Sequence, residues 1–346
     1  METTLISNKN FSNLLSWFFS TKSNYVFEKE PWNEKLFSNI LCEMYHSLNV
    51  KTKENYQIKE PSFFNIFDDN DYSSDFLSPI KKIKENFTNL GKKEFIVDAI
   101  LHGSIGSLDY KIGWSDVDIS LIIGKNSFES ERVLSNLRRE ILSCVNYLFI
   151  IDPLQHHEFL ISADITQNYS LNPSIPTVVL LNGKSLIGKK HIIHLENQST
   201  IHQAQKRLMD IAQMMSDSAK NKFMNHHALN GVYLEEDFKN KNSMYQLKYL
   251  LAVIMAMPSY FLDACGSPCY KKYSFDIVKK NKDIDFEILE KASTIRSEWP
   301  NIMKFPFKGN EIPKWVEKEL GSNYFERTLK LCNSLINCSP IRKQKY

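Results

Sequence analysis

Two aspartates separated by one residue, Asp116 and Asp118, open an apolar run, DVDISLII, and follow the pair Gly103-Ser104 across a polar loop closed by Trp114-Ser115. Alternate residues of a strand point the same way. Asp116, Asp118 and Ser120 therefore share one face, and Val117, Ile119 and Leu121 the other. Two carboxylates a few ångströms apart repel each other and lose hydration, which is costly unless a cation lies between them. A reaction that needs such a pair beside a glycine-serine loop is nucleotidyl transfer. The carboxylates would hold two divalent cations about 3.5 to 4 Å apart, one activating the attacking hydroxyl and the other neutralising the leaving pyrophosphate. Gly103 would let backbone N–H groups approach a triphosphate, and Ser104 would add a hydroxyl at the start of a helical turn. The implied ligand is a nucleoside triphosphate with magnesium.

Several elements have to position these groups. A basic helix opened by Pro79 and ended by Gly91 leads into a first strand, Phe95 to Leu101, and the carboxylate strand is Val117 to Ile123. The spacing predicts a helix from about Ser127 to Cys144, with Ser127 as N-cap and Val133, Leu134, Leu137, Ile141 and Leu142 as its buried stripe. A third strand, Tyr147 to Ile151, ends at Asp152-Pro153, and a fourth runs from Phe159 to Ser162. Val178 to Leu181 and Ser185 to Ile187 read as a hairpin joined by Asn182-Gly183.

On either side the pattern is helical. Residues 11 to 50 read as two helices, and Lys51 to Ser78 as a solvated, turn-rich connection. From Thr200 onward Ile201 to Ser216, Met244 to Met257, Phe286 to Trp299 and Lys314 to Ile336 all show helical spacing. The expected organisation is an N-terminal helical extension (1–78), an α/β core (79–195) and an all-helical C-terminal domain (196–346).

The central stretch resembles the nucleotidyltransferase superfamily, which includes DNA polymerase beta, poly(A) polymerases and the antibiotic-modifying and minimal nucleotidyltransferases. Its signature is a hydrophobic residue, Gly-Gly or Gly-Ser, a loop, then Asp-hydrophobic-Asp/Glu-hydrophobic. Here it reads His102-Gly103-Ser104, eleven residues, then Asp116-Val117-Asp118-Ile119. The resemblance covers about 110 residues. It implies an α/β (α+β) fold with a mixed sheet and flanking helices, metal ligation by Asp116 and Asp118, and nucleotide binding at Gly103 and Ser104. The C-terminal helices look like the substrate-side domain of the antibiotic-modifying members. A third carboxylate is usual on a later strand, and Asp152 is favoured because a residue before proline is held extended. Asp164 is second, and Glu158 lies between them.

Two departures stand out. His102 takes an apolar position, and Ile105-Gly106-Ser107 lacks the basic residue common after Gly-Ser. They motivate an alternative: a catalytically degenerate member that binds nucleotide or a partner. The acceptor hydroxyl is left open among a small molecule, a protein side chain and an RNA end.

Other signals weigh less. The formal charge of +3 argues weakly for nucleic acid, and no aromatic-basic tract is evident. Six scattered cysteines without a CxxC pair, and no secretory signal, suit reduced thiols in a cytoplasmic protein. Cys265 and Cys269 have the spacing of half a zinc site, with no second half nearby. The longest apolar run, Tyr249 to Met257, falls far below the ~20 residues that span a bilayer, so no membrane partner is expected. DDNDYSSD at Asp68 to Asp75 fails as a calcium loop, with Ser74 where glycine is needed and Ile80 where glutamate is needed. Gly183-Lys184-Ser185 ends like a phosphate-binding loop but has Val178 in place of the upstream glycine. Adjacent strand residues point to opposite faces, so at most one of His156 and His157 can face the carboxylates. Lys271-Lys272 and Lys279-Lys280 read as a solvated face rather than an acceptor site.

Overall fold

The computed structural model describes residues 8–21, 33–48, 57–59, 65–72, 74–164, 178–179, 182–188, 193–195, 197–226, 229, 231, 233–236, 243–300 and 311–339. The first half carries α1 (Asn8–Phe18), α2 (Glu34–Ser47), β1 (Gln57–Lys59), β2 (Asn65–Ile66), α3 (Ser78–Lys92), β3 (Ile96–His102), α4 (Gly103–Gly106) and β4 (Asp118–Ile123). It continues through α5 (Glu131–Ser143), α6 (Val145–Ile151), β5 (Leu160–Ala163), β6 (Lys184–Ser185) and β7 (Ile193–Leu195). The second half holds α7 (Asn197–Asn221), β8 (Phe223–Asn225), β9 (Tyr233–Glu235), α8 (Met244–Ala264), α9 (Lys271–Val278), α10 (Glu287–Glu298), α11 (Lys314–Leu320) and α12 (Tyr324–Cys338).

The chain is mixed α/β. Its main sheet has the order β2-β6-β3-β4-β5, with β3 antiparallel to β4 and β4 parallel to β5. Register pairs Asp98 with Ile122, Ile100 with Ser120 and His102 with Asp118, so these residues share one face. The opposite face, with Ala99, Leu101, Ile119, Leu121 and Ile123, joins a single apolar core with Phe11, Leu15, Phe18, Leu41, Ile83 and Phe87. The N-terminal helices are thus part of the α/β core rather than an appendage to it. A second core gathers around α8 and includes Leu208, Leu250, Ile254, Ile295 and Leu331.

Several expected elements differ. Residues 147 to 151 belong to helix α6, not to a strand: Val145, Leu148 and Ile151 are buried at helical spacing, while Ile150 is 60% exposed. A short apolar run does not by itself distinguish the two periods. The hairpin at Asn182-Gly183 does not form among the described residues. Residues 178–179 are helical, and Lys184–Ser185 instead pairs in parallel with β2 and antiparallel with β3. The N-cap of α5 is Ser130, which accepts from the Val133 N–H, whereas the Ser127 hydroxyl donates to the Phe95 carbonyl at 2.6 Å. The helix expected over Lys314 to Ile336 is broken by Gly321 (φ 70°) and Asn323 (φ 56°). The β8–β9 pair means that the C-terminal half is not purely helical.

α8 is also longer than its apolar run implied. Its 21 residues are long and apolar enough to cross a bilayer, yet 83% of its most apolar window is buried inside the protein. All six cysteines are free.

Candidate functional site

The carboxylate pair is positioned by an unusual piece of strand pairing. Val117, between the two aspartates, donates its N–H to the Gln155 side-chain oxygen at 3.1 Å and accepts from the Gln155 amide nitrogen at 2.8 Å. A side chain thus stands in for a neighbouring strand and fixes the backbone from which Asp116 and Asp118 project. Gly103 closes on them from the end of β3. Its φ of +67° is left-handed, and a Cβ there would lie 1.9 Å from an Asp118 carboxylate oxygen, so any other residue would collide with that carboxylate. Ser104 is buried in the first turn of α4.

The third group at the pair is His157. Its Nε2 lies 2.9 Å from Asp118 Oδ1 and 3.9 Å from Asp116 Oδ2. One ligand atom from each of the three residues lies within 4.8 Å of the others, so the group can hold a metal ion. Groups ligating one ion at 2.0–2.2 Å stand no more than about 4.4 Å apart, so closure requires movements of only a few tenths of an ångström. Burial alone would lower the His157 pKa, but the hydrogen bond and charge of Asp118, with Asp116, push it up to about 9. Burial would raise Asp116, but Lys248, His157, His156 and Lys271 outweigh it and hold the carboxyl down to about 2.

One turn after α6 supplies five separate anchors. Asp152 forms a buried ion pair with Lys248 of α8 and accepts from the Leu154 N–H at 3.0 Å. Gln155 pairs with Val117. His156 bonds the Tyr245 carbonyl and stacks on the Tyr245 ring at 4.1 Å, and burial pushes its pKa down to about 4. His157 meets the aspartates, and Glu158 accepts from the Thr21 N–H at 2.9 Å and from its hydroxyl. Asp164 accepts from the Tyr45 hydroxyl at 2.9 Å and from the Lys125 N–H at 3.0 Å. Of the three candidate acids, Asp152 is turned to Lys248, Glu158 to Thr21 and Asp164 to Tyr45, and none joins the group of three potential metal ligands.

The C-terminal half reaches into the same region. The Tyr270 hydroxyl donates to the Gly103 carbonyl at 3.0 Å and lies 2.6 Å from the Ser107 hydroxyl. Arg296 bonds the Asp109 carbonyl and stands 3.6 Å from its carboxylate. Trp114 from the loop is buried in the second core, edge-on to Trp299 with ring centroids 5.1 Å apart. Lys271 begins α9 within electrostatic range of Asp116 and Asp118, and burial and Arg296 lower its pKa. His102 lies on the same sheet face as Asp118 and shares a 2.9 Å hydrogen bond with Ser120. Burial, outweighing the pull of Asp118, pushes its pKa down to about 4.

The structure brings Gly103, Asp116 and Asp118 together, with one of the two histidines, His157, facing them. Nothing in the sequence points to Lys248, Tyr270 or Arg296, which lie more than a hundred residues from the motif, and Lys271 reads there as part of a solvated face, whereas it is half-buried within electrostatic range of the aspartates. Comparison of the chain with protein-family models, with curated proteins and with solved structures finds no match.

Proposed function

We propose that the protein is a metal-dependent nucleotidyltransferase that moves a nucleoside monophosphate from a nucleoside triphosphate to a hydroxyl acceptor. The observation carrying this reading is the contact between a left-handed glycine turn and the carboxylate that opens β4, Gly103 against Asp118, with Asp116 two residues before it. A dication bound there supplies Lewis-acid stabilisation of phosphate charge and lowers the pKa of the attacking hydroxyl. Asp116 and Asp118 are its ligands, and Gly103 and Ser104 line the phosphate side. Lys271 and Arg296 provide the positive charge that Ile105-Gly106-Ser107 lacks, so anionic substrate is balanced from the C-terminal half. The acceptor enters between the two halves, where groups from both meet.

Asp152 favours a second reading. With its carboxylate paired to Lys248, two acids rather than three stand at the site, as in a degenerate protein that binds nucleotide without turnover. Calorimetric titration of each triphosphate with a divalent cation, paired with pyrophosphate release in cell extract, separates the two. Binding with release is the expected result. Binding with no release under any triphosphate would establish the degenerate reading, and no binding at all would overturn both.

A further inference from the structure

The sequence-level expectation of magnesium assumes an all-oxygen site. Its third potential ligand here is instead a nitrogen. We infer that Asp116, Asp118 and His157 form a mixed nitrogen-oxygen site that selects a first-row transition dication of the manganese or zinc class over magnesium. This rests on the reading of the two aspartates as metal ligands.

Three features on different parts of the chain converge on it. The first is the placement of His157 Nε2, 2.9 Å from one aspartate and 3.9 Å from the other. The second is the far side of the ring, where Nδ1 lies 3.2 Å from the Glu158 carbonyl. A carbonyl only accepts, so Nδ1 carries a proton; Nε2 donates its own to the Asp118 carboxylate, and a metal ion entering the site would take the place of that second proton. Metal-binding histidines are typically oriented by such a bond from the other ring nitrogen. The third is the rigidity of the turn that holds the ring. Gln155, two residues before, is locked to Val117, and Glu158, one residue after, is locked to Thr21, three residues beyond α1. The imidazole is therefore preorganised with its donor atom beside the two carboxylates.

The choice of ion follows from the donors. Magnesium is a hard cation that takes oxygen ligands and gives up water reluctantly. Imidazole nitrogen suits zinc and its neighbours, while carboxylates serve manganese as well as magnesium. Replacing one carboxylate by an imidazole thus weakens the site for magnesium and strengthens it for a transition ion. It also removes one negative charge, which lowers the attraction for a small hard cation further.

The test uses the full chain, no nucleotide and manganese(II) chloride as probe. Free manganese is followed by its paramagnetic resonance signal while magnesium chloride competes, and the bound ion is examined for nitrogen hyperfine coupling. The expected result is one tightly bound manganese with an imidazole nitrogen coupling, displaced only by magnesium at tenfold or greater excess. His157→Ala should lose the coupling and bring the two affinities within about threefold, with circular dichroism unchanged. Selective 15N labelling of histidine in the wild-type chain must change the coupling, which keeps the test decisive even if the variant fails to fold. Bound manganese without nitrogen coupling, or displacement by equimolar magnesium, would overturn the inference. Because no nucleotide is present, failure of nucleotidyl transfer leaves this outcome untouched, and a nitrogen-coupled ion in a chain that transfers nothing would sink the activity alone.

Discussion

The two halves of the molecule contribute opposite chemistry to one place. The α/β half offers a concentrated acidic edge, Asp116 and Asp118, built from residues two apart in sequence and braced by a single turn. The helical half offers dispersed cations and donors: Lys248 from α8, Tyr270 and Lys271 at the start of α9, and Arg296 from α10. The difference teaches where each kind of group is encoded. Metal ligation needs atoms at fixed short separations, and a strand delivers that within three residues. Charge balance for an extended anion needs only a cation at the right place in space, and any element that packs there can supply it.

Two buried ionisable groups, one in each half, invert that contrast. The α/β half buries a base, His102, and the helical half buries an acid, Asp263. Between the halves, among the described residues, lies one buried ion pair, Asp152 with Lys248, each less than 5% exposed. Burial pushes Asp152 up against the pull of Lys248, while Lys248 is raised because Asp152 and Asp116 outweigh its own burial.

The largest expected effect on stability comes from breaking that pair. Lys248→Met should cost about 3–5 kcal/mol, because it strands a buried carboxylate without its partner. Denaturant unfolding reads this directly. Adding Asp152→Asn should recover a good part of the loss by removing the stranded charge. A Lys248→Met chain as stable as the wild type would mean that the pair does not join the halves, and the comparison would lose its hinge.

A smaller effect separates the halves by pH. Asp263 is pushed up to about 6 by burial, from 3.8 when exposed, so the stability it allows below pH 3.8 is lost as pH rises through 6. His102 is pushed from 6.5 down to about 4, so stability present above pH 6.5 is lost as pH falls through 4. Each contributes about 3 kcal/mol, in opposite directions over nearly the same window, and the two largely cancel. Asp263→Asn removes one side of the balance. Relative to wild type, the variant should gain about 3 kcal/mol between pH 4 and pH 7, measured by urea unfolding at each end. Parallel pH profiles for the two chains would contradict a buried acid in the helical half.

How much of this was legible beforehand follows the same division. The carboxylate strand, the Gly103 turn and the helix from Pro79 were readable because each is a local pattern with a local cause. The strand expected at 147 to 151 failed because VNYLFII is too short for its period to show, and packing of Val145, Leu148 and Ile151 decided for a helix. Asp152 drew attention as a carboxylate held extended before proline. Its partner Lys248 is 96 positions away on a helix that reads as apolar, so nothing local showed that the carboxylate was already engaged. His157 was visible only as half of a histidine pair. What selected it over His156 was Tyr245, which takes His156 to the other side.

The central claim is that Asp116 and Asp118 support transfer of a nucleoside monophosphate. Its most direct test is to incubate the protein in cell extract, with a divalent cation, beside each of the four triphosphates labelled at either the α or the γ phosphate. The account predicts that α label moves onto an acceptor with pyrophosphate released, and that Asp118→Asn lowers this transfer by about 1,000-fold or more while remaining folded. Transfer of γ label, or undiminished α transfer by Asp118→Asn, would contradict it.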